Sequence, residues 1–301
     1  MACVLAAALS ACGGGSGGIA STPTPPTPPA PTNATLVDLQ FSQAFPMVVH
    51  VLDFTIAPPS GGVTSPPTSS SFMRGSDNIE YDAASKSYTV NLGTRRSTFG
   101  PANRTAASNA AISVYEKVAG SQTDNLVLRN PGAGNPQLVL TYASYGALQS
   151  IADRGSTLDV RTMFFTYGIP TAVADMPRSG TATYTTLIDG LYAANSGVYS
   201  IAGASSFSAD FGTGNVNYAM TPVGTNVVTG ASKAFGTTNG NGSILVGSTV
   251  SFLGGGAANA LGYSSGMSGS FFGPAAAEMG AVFTMTGPDG AGTGAMLGRR
   301  N

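Results

Sequence analysis

Phe271-Phe272-Gly273-Pro274-Ala275-Ala276-Ala277-Glu278-Met279-Gly280 is the stretch on which the fold of this chain turns. Pro274 suits the first position of a helical turn, where the missing N–H has no partner to lose. Ala275, Ala276 and Ala277 favour helix, and Gly280 can take the left-handed conformation that ends a turn. Alternating runs flank it, at 266–272 and 281–286, so the stretch reads as a strand-turn-strand corner. Glu278 is its single charge and can accept backbone hydrogen bonds or pair with an arginine such as Arg299.

The same alternation continues outward from the corner. Ala182, Tyr184 and Thr186 alternate with threonines; Phe207, Ala209 and Phe211 alternate with Ser208 and Asp210; Val216, Tyr218 and Met220 alternate with Asn217 and Ala219. Runs at 243–246, 249–253, 266–272, 281–286 and 293–297 bring the count to about eight, separated by turn residues at hairpin spacing. Eight strands can close on themselves and lose their edges. A transmembrane barrel needs strands of about nine to eleven residues and aromatic girdles. These runs are shorter and the chain ends in Arg299-Arg300-Asn301, so a soluble antiparallel β-barrel filled by side chains is expected.

Upstream the pattern is looser. Residues 112–118 and 137–142 read as strands, while 57–71, punctuated by Pro and Gly, reads as an exposed loop. The change of pattern after Met176-Pro177-Arg178-Ser179-Gly180 divides the body into a β-rich part, 36–175, and a barrel, 176–301. Composition agrees: 41 Gly and 19 Pro are too many for a helical bundle, and 42% hydrophobic residues too many for disorder. With 9% charged residues and a net charge of −1 there is no basic field to gather phosphates, so nucleic acid is not an expected partner.

Residues 2–11 are apolar and end in small residues, as a secretory signal does. Leu9-Ser10-Ala11-Cys12 resembles the bacterial lipobox, in which cleavage exposes a cysteine that becomes diacylglycerol-linked and N-acylated. Cys12 is therefore the expected lipidation site. The positive residues that should precede the apolar run are missing, which places the true start upstream of Met1 or marks a clipped chain. Residues 13–35 form the expected tether: a flexible GGGSGG, then the stiff STPTPPTPPAPT. At about 3.1 Å per residue the second piece reaches roughly 35 Å. Cys3 and Cys12 both precede the body, so no disulfide is expected to staple it.

The quoted stretch closely resembles the F-G-P-x-A-x-E-x-G signature in the β-barrel domain of transferrin-binding protein B and its relatives, surface lipoproteins of Gram-negative bacteria. Phe272, Gly273, Pro274, Ala276, Glu278 and Gly280 carry the match; Ala281 stands where relatives commonly have a second glycine. Residues 179–184, Phe207–Phe211 and Gly287-Pro288-Asp289-Gly290 resemble other barrel strands and the last hairpin. Tyr81-Asp82-Ala83 through Tyr88 and Ile169-Pro170-Thr171 extend the similarity more weakly. The resemblance implies an all-β fold, an N-terminal β-rich handle domain followed by an eight-stranded barrel. It further implies an outer-membrane lipoprotein, facing the cell surface or alternatively the periplasm, that binds a protein or small-molecule ligand, foremost an iron- or haem-carrier protein, for delivery to an envelope transporter such as a TonB-dependent outer-membrane receptor. Full-size transferrin receptors have two such lobes and this chain has room for one, which argues against transferrin itself. The alternative is a structural or adhesive envelope lipoprotein.

No enzyme, cofactor or metal is expected. Gly262-Tyr263-Ser264-Ser265-Gly266 matches a nucleophile elbow by letter, but that motif needs a strand-to-helix turn and a later histidine. The one histidine, His50, is flanked by apolar residues and reads as a satisfied core histidine. Asp153, Arg154, Asp159 and Arg161 read as solvated turn and edge charges. Tyr142, Tyr145, Phe164, Phe165, Tyr167, Tyr192 and Tyr199 are numerous enough for a protein-binding patch and read first as core.

Overall fold

Period-two alternation becomes strand through most of the chain in the computed structural model, which describes residues 31–72, 77–247 and 249–301. Cys12, the signal segment and nearly all of the expected tether lie outside the described residues. In chain order come β1 (Gln43–Pro46), β2 (Val48–Ala57), β3 (Gly62–Val63), β4 (Thr68–Phe72), β5 (Asn78–Asp82), β6 (Ser87–Leu92) and β7 (Arg95–Phe99). β8 (Ile112–Ala119), β9 (Gln122–Arg129), β10 (Ala143–Asp153) and β11 (Leu158–Gly168) follow. The last group is β12 (Thr181–Ala194), β13 (Gly197–Asp210), β14 (Asn215–Asn226), β15 (Ser232–Ala234), β16 (Thr238–Val246), β17 (Val250–Gly256), β18 (Ser264–Phe272), β19 (Glu278–Gly287) and β20 (Gly290–Arg300). Three single 3-10 turns are the helical pieces among the described residues, so the fold is all-β.

The order β13-β12-β20-β19-β18-β17-β16-β14 is antiparallel throughout, and β14 pairs again with β13, closing eight strands into a barrel. Each barrel run singled out in the sequence lies on one of these strands, with Phe211 and Thr249 one residue beyond a strand end. The strands are longer than expected, 14 residues in β12 and β13 and 12 in β14, so strand length does not separate this barrel from a lipid-facing one. Polarity does. Tyr184, Phe207, Tyr218, Phe252, Phe271 and Phe283 fill the interior, whereas Thr181, Thr183, Asn217, Thr221 and Asn241 stand exposed outside. A barrel in lipid carries the reverse pattern, apolar outward.

The handle has two sheets. β1-β5-β6-β7 forms one; β3-β2-β11-β10-β9-β8, with β4 also on β2, forms the other. Phe45, Ile79, Val90 and Phe99 of the smaller sheet pack on Val49, Val51, Leu126, Leu148, Met163 and Phe165 of the larger. Two local expectations change. Residues 57–71, read as a loop, contribute β3 and the start of β4, which pair with successive parts of β2 and cover its free edge. Residues 137–142, read as a strand, belong to no ladder. Leu138 and Leu140 are buried at strand spacing, which is the signal that misleads, but the N–H groups of Thr141 and Tyr142 are taken by a carboxylate instead.

The opposite face of the larger sheet packs on the outside of the barrel. Val48, Tyr145 and Phe164 meet Val282, Ala295 and Leu297, and Leu52, Phe54 and Val160 meet Ala193, Val198 and Ala291. β19 and β20 are consequently buried on both faces over most of their length. Residues Thr32–Asn301 form one compact unit.

Candidate functional site

The motif corner sits where handle meets barrel. Gly273 takes φ +71°, and a Cβ there would lie 2.3 Å from the Tyr142 ring, so both backbone and space call for glycine. Gly280, expected to supply the left-handed residue, lies inside β19; its hydrogen faces Phe272, Thr166 and Leu297, within 3.1–3.3 Å of where a Cβ would be. The left-handed conformation falls instead on Ala275 (φ +52°) and Ala276 (φ +56°). Their carbonyls are held by Arg300 Nη1 at 2.9 Å and by the Tyr184 hydroxyl at 2.8 Å. Phe272 is buried, and Ile169–Thr171 pairs along it: Thr171 N–H donates to Phe271 O, Gly273 N–H to Ile169 O, and Thr171 Oγ1 to Gly273 O.

Glu278 is 3% exposed and accepts three backbone N–H bonds from one handle segment: Thr141 on Oε1 at 2.7 Å, and Tyr142 and Ala143 on Oε2 at 2.8 and 2.7 Å. Burial pushes its carboxyl above the usual range; the three N–H groups and Arg299 pull the other way. A few residues away Tyr145 OH donates to Asp189, again across the junction. Burial raises the Asp189 carboxyl, opposed by that hydroxyl, the Gly190 N–H and Arg129.

His50 on β2 is buried, with Nε2 2.9 Å from Ser268 Oγ of β18 and Nδ1 without a partner among the described residues. It is therefore satisfied at one nitrogen only. Burial pushes its pKa down to about 4, with the Phe283 carbonyl opposing. It does not serve Ser264, which begins β18 and pairs with Thr286; no helix follows, so no nucleophile elbow forms. Tyr145, Phe164, Phe165, Tyr167, Tyr192 and Tyr199 are buried and Tyr142 half-buried, as core residues.

A surface suited to binding appears where the larger sheet emerges from beneath the smaller one. On the covered end the face carries Val49, Val51, Met163, Leu148 and Leu126. Two residues further along the same strands it carries Asp53 and Thr55, Arg161 and Asp159, Ser150, and Asp124 and Gln122, in register across four strands. Arg161 grips Asp53 with two bonds of 2.7 and 3.0 Å. Arg154 pairs with Asp159 at 2.8 Å, and Arg95 of the smaller sheet reaches Asp124 at 2.7 Å. Asp159 and Arg161 are thus mid-sheet residues rather than edge charges. The Arg154 bond holds the Asp159 carboxyl below its usual range; for Asp124, burial pushes up but Arg95, Ser150 and Gln122 together outweigh it. All of these side chains except Asp124 line an open groove of about 470 Å³. It continues past Arg95 and Arg161 into a cleft of about 190 Å³ floored by Val49, Val51 and Met163. Such a shelf presents charged donors and acceptors beside an apolar floor, which is chemistry for recognition.

The class so defined is a two-sheet β handle seated on a closed eight-stranded barrel. Among solved structures the chain is similar to a transferrin-binding protein B double mutant from Haemophilus parasuis Hp5, at 17% identity and TM-score 0.46 over 84% of this chain and 44% of that one. It is similar also to intact Ap-TbpB, N and C lobes, at 15% and 0.47 over 83% and 46%. The isotype 1 protein of serogroup B Neisseria meningitidis gives 15% and 0.41 over 83% and 43%. The chain spans less than half the length of each. No family model matches the chain, and no curated protein does.

Proposed function

We propose that this chain is an outer-membrane lipoprotein, acylated at Cys12, that carries its handle and barrel at the cell surface and binds an iron- or haem-carrier protein for delivery to a TonB-dependent receptor. The shelf carries the binding part of this reading. Four strands align Asp53, Arg161, Ser150 and Asp124 in register on one face beside an open groove and an apolar cleft, and a protein partner is what such a broad mixed surface fits. The lipobox-like Leu9-Ser10-Ala11-Cys12 and the tether behind it support the anchor. Phe272, Gly273, Pro274, Ala276, Glu278 and Gly280 act structurally in this reading: they fix the sheet that bears the shelf to the barrel.

Surface plasmon resonance with the immobilised chain against haemoglobin and holo-transferrin tests it. Saturable binding to one carrier, weakened at least tenfold by Arg161→Glu, is expected, together with poor growth of a deletion strain when that carrier is the iron source. Absence of binding with unchanged growth points to the structural or adhesive envelope role.

A further inference from the structure

The last hairpin of the barrel holds a second constellation, remote in sequence from the shelf and unused by it. Asp289, in the Gly287-Pro288-Asp289-Gly290 turn, points its carboxylate inward. Tyr192 OH donates to Oδ1 at 2.9 Å, Tyr263 OH to Oδ1 at 3.1 Å, and Lys233 Nζ to Oδ2 at 2.7 Å. The same ammonium lies 5.9 Å from the Tyr199 ring centroid, 5.8 Å from Phe235 and 5.9 Å from Tyr263. Three aromatic faces and one carboxylate around a cation is the arrangement that selects alkylammonium groups, because ring quadrupoles and a formal negative charge converge on one spot.

The cage is built into the barrel wall. Tyr192 and Phe235 are fully buried and meet at 4.8 Å with their planes tilted by 57°; Phe235 and Tyr263 meet edge-on at 5.2 Å. Glycines make room for the rings: a Cβ on Gly224 would lie 2.9 Å from Phe235, and one on Gly287 would lie 2.3 Å from Tyr263. The occupant is held far less firmly. Lys233 sits on the three-residue β15, attached through three register pairs to β14, and its side chain is 22% exposed, with Asp289 at 30%. A partly exposed ion pair is weak, and a lysine side chain leaves by rotating its own bonds.

We propose that this cage is a recognition site for an alkylammonium group, and that Lys233 is its internal occupant, displaced when the ligand binds. The cage is independent of whatever the shelf binds. The ligand source is either a methylated ammonium, which gains most from ring faces, or a primary ammonium such as a lysine side chain, which gains most from Asp289.

Titration of the full chain with tetramethylammonium and, separately, with n-butylammonium tests this, followed by tyrosine ring resonances in NMR. Saturable shifts at Tyr199 and Tyr263 are expected in the native chain, at least tenfold tighter in Lys233→Ala. They should be lost when Asp289→Asn is added to that variant. The tighter of the two ammonium probes names the source. Lys233→Met, which keeps the packing of the stem, replaces Lys233→Ala should the latter unfold. No saturable shift with either probe in a folded Lys233 variant overturns the proposal.

Discussion

Glu278 shows what one residue does for this fold. Its carboxylate replaces a missing ladder for three consecutive handle N–H groups, Thr141 to Ala143, which lie 135–137 positions away in the chain. Backbone acceptance was one of two readings open in the sequence, beside an ion pair with Arg299; the choice between them, and which bonds, was not legible, because only the packed junction brings these groups together. Glu278→Ala leaves three buried donors unpaired and should cost about 3–5 kcal/mol in urea unfolding, with Glu278→Gln losing less because one oxygen still accepts. A variant within 0.5 kcal/mol of the parent, on the order of a neutral surface change, contradicts this role. His50 gives a pH signature. Its folded pKa of about 4 lies below the ordinary 6.5, so the fold holds it neutral. Its contribution to stability is complete above pH 6.5 and is lost as pH falls towards 4, by about 2 kcal/mol at pH 5. In His50→Gln the stability difference between pH 7 and pH 5 should shrink by about that amount; an unchanged difference shows that His50 is not its source.

Among the elements, barrel strands were legible and their lengths were not. The eight alternating runs mark each strand's most regular part, but β12 and β13 extend through Gly190, Ala193, Gly203 and Ala204, small residues that carry no alternation signal. Packing explains some of them: a Cβ on Gly190 would lie 2.6 Å from Thr293 O, and one on Gly203 2.3 Å from Thr221 O. The shelf was hidden for a different reason. β2 keeps the same period from Val49 and Val51 into Asp53 and Thr55; what changes is whether the smaller sheet covers them, and that is a property of two sheets rather than of one strand. Its ion pairs are partly exposed, with Arg161 at 55% and Arg154 at 62%, and each is worth about 1 kcal/mol or less. Arg161→Ala should therefore shift the urea midpoint little. A loss above about 2 kcal/mol, beyond what an exposed pair supplies, contradicts the view of the shelf as a surface kept for recognition.

For the whole molecule, the closed barrel and the handle share too much apolar surface to behave separately. Removing the barrel would bare Val48, Leu52, Phe54, Tyr145, Val160 and Phe164 on one sheet face. Urea unfolding should therefore be a single transition with coincident far-ultraviolet and tyrosine signals, despite 301 residues. Two separated transitions show that the handle holds its fold without the barrel. The function proposed for the molecule rests on one face of that handle. Hydrogen–deuterium exchange on the chain, alone and with saturating haemoglobin or holo-transferrin, tests it most directly. Slowed exchange is expected in the shelf segments of β2, β9, β10 and β11, around Asp53, Asp124, Ser150 and Arg161. Slowed exchange confined to the barrel, or none with either carrier, would contradict it.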